Sequence, residues 1–297
     1  FWIEHGKRCI EISEYFANET GVPCLMNIWI PDGYKNIPAD RLSPRKRFKA
    51  SLDEILSVPY DKSKVFVCLE SKVFGIGLES YTVGSAEFCM NYVASKGITP
   101  LMDNGHYHPT EVVSDKISSM LLFNDRIALH VTRGVRWDSD HVVAFDDETR
   151  AIMEELVKIG KLGDTFIATD FFDASINRVV AWVTGLRNTK KAILAALLMP
   201  HDKIKAAENA GDVSTRLALT QEARALPFSL VWDYYCDAKG CGVGADWIKE
   251  VKEYEKFLLK LSQIKSCCYK TEESLEKDKE NNENKLENIK LEVADLS

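Results

Sequence analysis

An α/β fold built on a parallel sheet is what this sequence predicts, and three observations carry it. Between Pro23 and Phe172 short apolar runs alternate with amphipathic stretches of helical period. The apolar runs end, one after another, on ionisable or polar residues. After Phe172 the alternation gives way to helices alone. A chain of 297 residues is long enough for a sizeable core and, as an α/β barrel, for one domain.

The runs are "PCLMNIWI" (23–30), "KVFVCLE" (64–70), "ITPLMD" (98–103), "RIALHV" (126–131) and "DTFIATDFF" (164–172). Near-continuous apolar strands of this kind belong to sheets buried on both faces. The helices between them carry their own punctuation. Ser43-Pro44 opens "RKRFKASLDEIL", Ser85 opens "AEFCMNYVASKG" with Gly97 at its C-terminal boundary, and Thr110 opens "EVVSDKISSMLLF". In "AFDDETRAIMEELVKIG" Asp146 or Asp147 fits an N-cap, so Asp146, Asp147 and Glu148 read as helix-start acids, with Gly160 at the far end. The later helical stretches are "INRVVAWVTGLRNTKKAILAALLM", 201–226, "FSLVWDYYCDAKG" and "ADWIKEVKEYEKFLLKLSQI". Residues 1–175 are therefore expected to form the barrel part carrying the site. Residues 176–265 are expected to pack on its outside or at a subunit interface, and 266–297 to form a charged, disordered tail.

Composition excludes several functions. The formal charge is −7, with 45 acids against 38 bases and no basic stripe, which argues against nucleic acid. "AILAALLMP" is about half the roughly 20 residues a membrane-spanning helix needs. The opening "FWIEHGKRC" has no initiator Met and lacks the regions of a secretory signal, so it reads as a fragment. Eight cysteines without paired C-x-x-C knuckles read as free thiols in a reducing cytoplasm.

Chemistry is expected where the strands end. Asn27, Glu70, Asp103, His130 and Asp170 stand at the carboxyl ends of the five runs, and in a parallel barrel those ends share one mouth. One acid there would be an ordinary helix cap. Glu, Asp, His and Asp together would repel one another unless a cation joined them. In "RWDSDH", Asp138 and Asp140 fall on one side of an extended chain, their Cα atoms about 6.6 Å apart. "DNGHYHP" supplies an imidazole from His106, with His108 and His141 as competitors and Gly105 allowing a tight turn. Oxygen and nitrogen ligands without sulfur suit Mn²⁺ or Mg²⁺ and tolerate Co²⁺ or Zn²⁺. On the residues alone, Lys72 is an ion-pair partner for Glu70 and Trp29 a core residue.

"NIWIPDGYKNIPADRLSPR", "ESKVFGIGLESYTVGS", "DNGHYHPTEVVSDKIS", "RWDSDHVVAFDDETRAI" and "DFFDASINRVVAWVTGLRN" closely resemble the L-rhamnose isomerases, from Phe1 to about Leu261. The resemblance implies a TIM-type (β/α)₈ barrel, a homotetramer, and a metal-dependent aldose–ketose isomerase interconverting L-rhamnose and L-rhamnulose. It implies that His106, Asp138 and Asp140 hold a catalytic metal, usually Mn²⁺. Glu70, Asp103, His130 and Asp170 would hold a structural one. Lys72 would approach the sugar O1, Asp170 would handle a proton there through water, and Trp29 would wall the sugar pocket. Eight βα units need about 250 residues, so five strands before the helical part imply that about three units are missing ahead of Phe1. Two readings compete with the isomerase. One is an inactive fragment that only binds metal. The other is a metal-dependent barrel hydrolase, for which Lys72, Arg133 and Arg136 are the only bases near the mouth.

Overall fold

The computed structural model of the chain describes residues 1–30, 32–72, 80–135, 141–173 and 175–268, with side chains to 261. Each of the five apolar runs is a strand: β1 (Cys24–Ile28), β3 (Val65–Glu70), β5 (Thr99–Asp103), β6 (Ile127–Val131) and β7 (Thr165–Thr169). They form one parallel sheet in the order β1-β3-β5-β6-β7. Because each strand pairs with the next along this part of the chain, every carboxyl end lies on one rim. The expected parallel α/β arrangement is present. Among the described residues the sheet has two open edges, β1 and β7.

Side chains alternate faces along a strand, and this period decides what each face does. Val65, Val67 and Leu69 of β3, and Ile127, Leu129 and Val131 of β6, face the helices and are all buried. The opposite parity gathers Cys68, Leu101 and Ala128 with Leu25 and Phe166 into a smaller inner cluster. One step further along the same parity come Asn27, Glu70, Asp103 and His130, and Asp170 lies two steps beyond Phe166. The polar rim is the continuation of the inner face.

Helices α2 (Leu42–Ile55), α3 (Ala86–Lys96), α4 (Val113–Phe123), α5 (Asp147–Lys158) and α6 (Arg178–Leu197) cover the outer face. The helix signals read from sequence hold for α3, where Ser85 Oγ accepts from Phe88 N and Gly97 takes a left-handed φ of 62°. They hold again for α5, where the Asp146 carboxylate accepts from Thr149 N at 3.0 Å. Two starts differ. Helix α2 begins at Leu42 because Asp40 Oδ1 accepts from Leu42 N and Ser43 N. Helix α4 begins at Val113, after the position Thr110 suggested, because the Glu148 carboxylate reaches across from α5 to accept Val113 N at 2.9 Å.

One helix and a pair of short strands lie outside the sequence reading. Helix α1 (Trp2–Thr20) packs Ile10 into the core beside β1, with Gly6 seated against the Ile55 side chain. Strands β2 (Gly33–Tyr34) and β4 (Tyr81–Thr82) pair antiparallel above α2, where Arg45 donates to the Thr82 and Val83 carbonyls.

Phe1–Phe228 is one compact unit, completed by α7 (His201–Asn209) and α8 (Val213–Arg224). Ser229–Ser297 is a second, made of α9 (Ser229–Ala238) and α10 (Trp247–Cys268) within the described residues. Residues 269–297, most of the expected charged tail, lie outside them. No helix among the described residues is long and apolar enough to cross a membrane. The described cysteines Cys9, Cys24, Cys68, Cys89, Cys236 and Cys241 are free thiols.

In α6, a Cβ added at Gly185 would meet the Phe171 ring at 2.5 Å. Phe171 follows Asp170 directly, so this contact fixes the turn that presents a rim carboxylate. Gly185→Val is expected to lower stability by roughly 1–3 kcal/mol through overpacking, read as a fall in thermal midpoint.

Candidate metal centre

Glu70, Asp103, His130 and Asp170 each turn one ligand atom toward the others, and these atoms all lie within 4.8 Å of one another. Strand register explains the convergence. Asp103 is paired with His130 across β5 and β6, Glu70 with Leu101, and Asp170 follows the last residue of β7. His130 Nδ1 lies 3.2 Å from Asp170 Oδ2, 3.4 Å from Glu70 Oε2 and 3.8 Å from Asp103 Oδ2. Glu70 and Asp103 have buried side chains, whereas that of Asp170 is 52% exposed. The group opens to solvent at the β7 edge.

Close approach has not produced matched hydrogen bonds. Asp103 Oδ2 and His130 Nδ1 are buried, and neither has a partner in hydrogen-bonding geometry. Leaving such groups unsatisfied costs about 1–3 kcal/mol each, more when charged. A divalent cation accepting lone pairs from all four would remove that cost. The residues therefore fit a metal by donor set and by these orphaned atoms.

Titration behaviour points the same way. Burial pushes the Asp103 carboxyl up to about 7, with the Glu70 charge adding to it. Burial alone would depress His130, but Asp170 and Glu70 beside it outweigh that and push it up to about 10. Glu70 is likewise raised by burial, yet His106 and His130 facing it bring it down to about 2. At pH 6 the metal-free group thus holds one proton on Asp103 and one on His130. A divalent cation replaces both. Mn²⁺ affinity is accordingly expected to rise with pH, by about two decades per unit below pH 7 and about one above it, as the Asp103 proton is lost first. Calorimetric titrations at pH 6, 7 and 8 in buffers of different protonation enthalpy count the released protons.

His106 sits beside this group. Its Nδ1 is 3.0 Å from Glu70 Oε1, so the Glu70 carboxylate faces His130 with one oxygen and His106 with the other. The turn that carries it is held from both sides: Gly105 N donates to Asp103 Oδ1 at 2.7 Å, and Asn104 bonds both the N–H and the carbonyl of Thr132. The Thr132 hydroxyl and the Arg133 N–H in turn hold the His141 carbonyl. His108 is exposed on the same loop, its Nδ1 2.7 Å from Thr110 Oγ1, away from the group. Asp138, Asp140 and Arg136 lie outside the described residues.

Trp29 stacks on His106, ring centroids 6.2 Å apart at 14°, and the Lys72 ammonium lies 5.5 Å from the indole centroid. Among the described residues Lys72 makes no ion pair with Glu70. Its backbone is fixed by donation to the Gly84 carbonyl. Both side chains therefore lie beside His106; Trp29 is 37% exposed rather than core, and Lys72 pairs with its ring rather than with Glu70.

In the sequence Asn27 stands only as a strand end, and nothing marks Asn104. The inner-face parity shared by Leu25, Asn27 and Trp29 was the available signal for the first. For Asn104 nothing local distinguishes a side chain that mimics a strand partner.

Among known proteins, the chain is 51% identical over 259 residues to "L-rhamnose isomerase" of Pectobacterium atrosepticum, an alignment covering 87% of this chain and 62% of that protein. It is 52% identical over 259 residues to the protein of the same name from Mannheimia succiniciproducens, with the same coverage of each chain. The chain thus spans less than two thirds of the length of these relatives. Of solved structures, an L-ribulose 3-epimerase aligns over 75% of this chain and 72% of its own at a TM-score of 0.38 and 16% identity, a likeness too remote to carry an argument. The family model described as L-rhamnose isomerase (RhaA) matches residues 1–262, a span that includes every residue of the metal centre. This chain belongs to the L-rhamnose isomerase family.

Proposed function

We propose that the chain is the metal-binding part of an L-rhamnose isomerase, catalysing the interconversion of L-rhamnose and L-rhamnulose. The observation that carries this reading is the cation-fitting group of Glu70, Asp103, His130 and Asp170 at the inner rim of a chain of this family. In this proposal they hold a structural divalent ion, and His106, Asp138 and Asp140 hold a catalytic one, both Mn²⁺ in the first instance, with Zn²⁺, Co²⁺ or Mg²⁺ as substitutes. Residues 1–175 carry both sites, 176–265 serve packing or subunit contact, and 266–297 are a tail. The intact protein is a cytoplasmic homotetramer on a complete (β/α)₈ barrel.

Aldose–ketose isomerisation moves a hydrogen between C2 and C1 and a proton between O2 and O1, so negative charge develops on both oxygens. Bound divalent metal supplies electrostatic stabilisation of that charge. The chain's own groups do the rest. Lys72 presents a positive donor to O1, and its place over Trp29 keeps it beside the centre rather than in bulk water. Asp170, the exposed carboxylate of the group, exchanges a proton near O1 through water. Trp29 offers an apolar face against the sugar ring while stacking on His106.

Incubation with Mn²⁺ and L-rhamnose, followed by a ketose assay, tests the reading. Formation of L-rhamnulose supports it. Bound Mn²⁺ without any ketose would show that this chain only binds metal, and no bound Mn²⁺ would remove the basis of the proposal.

A further inference from the structure

Glu70 is the carboxylate on which the centre turns, because it faces His106 with one oxygen and His130 with the other. A buried glutamate has free rotation about its last bonds unless something fixes the carboxylate plane. Asn27 Nδ2 donates to Glu70 Oε2 at 2.5 Å, from β1, one strand over. The cross-strand register pairs Asn27 with Cys68, two residues before Glu70, which places the amide diagonally beneath the carboxylate on the inner face. Cys68 Sγ lies 3.5 Å from Asn27 Oδ1 and from the Met26 carbonyl. Cys68 is fully buried, and its S–H is the donor toward both oxygens. A donor on that side of the amide leaves the NH₂ side for Glu70.

We infer that Asn27 is a positioning residue for the metal centre, holding Glu70 so that its two oxygens address His130 and His106 separately. The inference rests on the reading of this group as a cation site. It follows the general behaviour of metal-ligating carboxylates, whose outer hydrogen bonds set ligand orientation and are worth about 10–100-fold in metal affinity.

The test is Mn²⁺ binding followed by electron paramagnetic resonance, which needs no turnover. Asn27→Leu removes the donor at similar volume, and Asn27→Asp keeps the shape but sets an acceptor against Glu70. Both are expected to weaken Mn²⁺ binding by about 10–100-fold, with circular dichroism showing the fold retained. In a double-mutant cycle, Asn27→Leu is expected to add little in a Glu70→Gln background and to add fully in an Asp170→Asn background. Full additivity with Glu70→Gln, or unchanged affinity in both single variants, would overturn the inference while leaving the cation site standing. If the unsubstituted protein takes up no Mn²⁺, the cation reading fails and this inference falls with it.

Discussion

Replacing Asp103 by Asn is expected to cut Mn²⁺ affinity by more than about 100-fold, beyond the range typical of outer hydrogen-bond partners, because a buried ligand is lost. The same change is expected to leave the metal-free protein at least as stable as before. Asn Oδ1 can keep the bond from Gly105 N, and the variant no longer places a second carboxylate against Glu70. The pH dependence separates the two effects. The Asp103 carboxyl titrates near 7 in the fold and near its ordinary value of 3.8 when unfolded. A raised pKa contributes stability that is complete below the unfolded value and lost as pH rises through the folded one. Metal-free protein should therefore lose stability between pH 4 and 7, at roughly 1.4 kcal/mol per pH unit from this group. The Asn variant should not show that loss. Thermal melts across this range with a chelator present, beside Mn²⁺ titrations, measure both. A variant that binds Mn²⁺ normally would remove Asp103 from the ligand set.

The second large effect concerns Lys72. In a protein that turns over L-rhamnose, Lys72→Met is expected to lower kcat by about 10²–10⁴-fold, the range for loss of a positioned proton donor. Methionine preserves length and can still pack on Trp29, and no ligand atom of the centre is changed. Mn²⁺ affinity should stay within about twofold and KM should move little, since the donor is needed when charge develops on O1 rather than when sugar binds. Steady-state kinetics with Mn²⁺ binding measured on the same sample decides it. An equal loss of metal affinity would mean that Lys72 acts through the centre's geometry instead.

How far the residues alone lead is clearest at the rim. The five strands were legible because buried parallel strands are apolar throughout and their ends are polar, so Glu70, Asp103, His130 and Asp170 stand out as breaks in an otherwise hydrophobic text. Their convergence follows from a parallel sheet in sequence order. What sequence does not carry is interaction between distant segments. Glu148 looks like an ordinary helix-start acid, and only the packing of α5 beside α4 turns its carboxylate toward Val113 N. Asn27 reads as a polar end to an apolar run until the register with β3 sets it under Glu70. Helix α1 has apolar residues at helical spacing and ends on Gly21 at a left-handed φ of 68°, so its signal is present in the sequence although no side chain caps its start. Its burial comes from Ile10 and Gly6 meeting β1 and α2.

The central claim is that four side chains on the inner rim share one divalent cation. Anomalous diffraction above the manganese edge, from crystals soaked in Mn²⁺ near pH 8, tests it most directly. A peak within coordination distance of Glu70, Asp103, His130 and Asp170 together is predicted. Peaks only elsewhere, with Asp103 and His130 bonded to each other or to water instead, would contradict it.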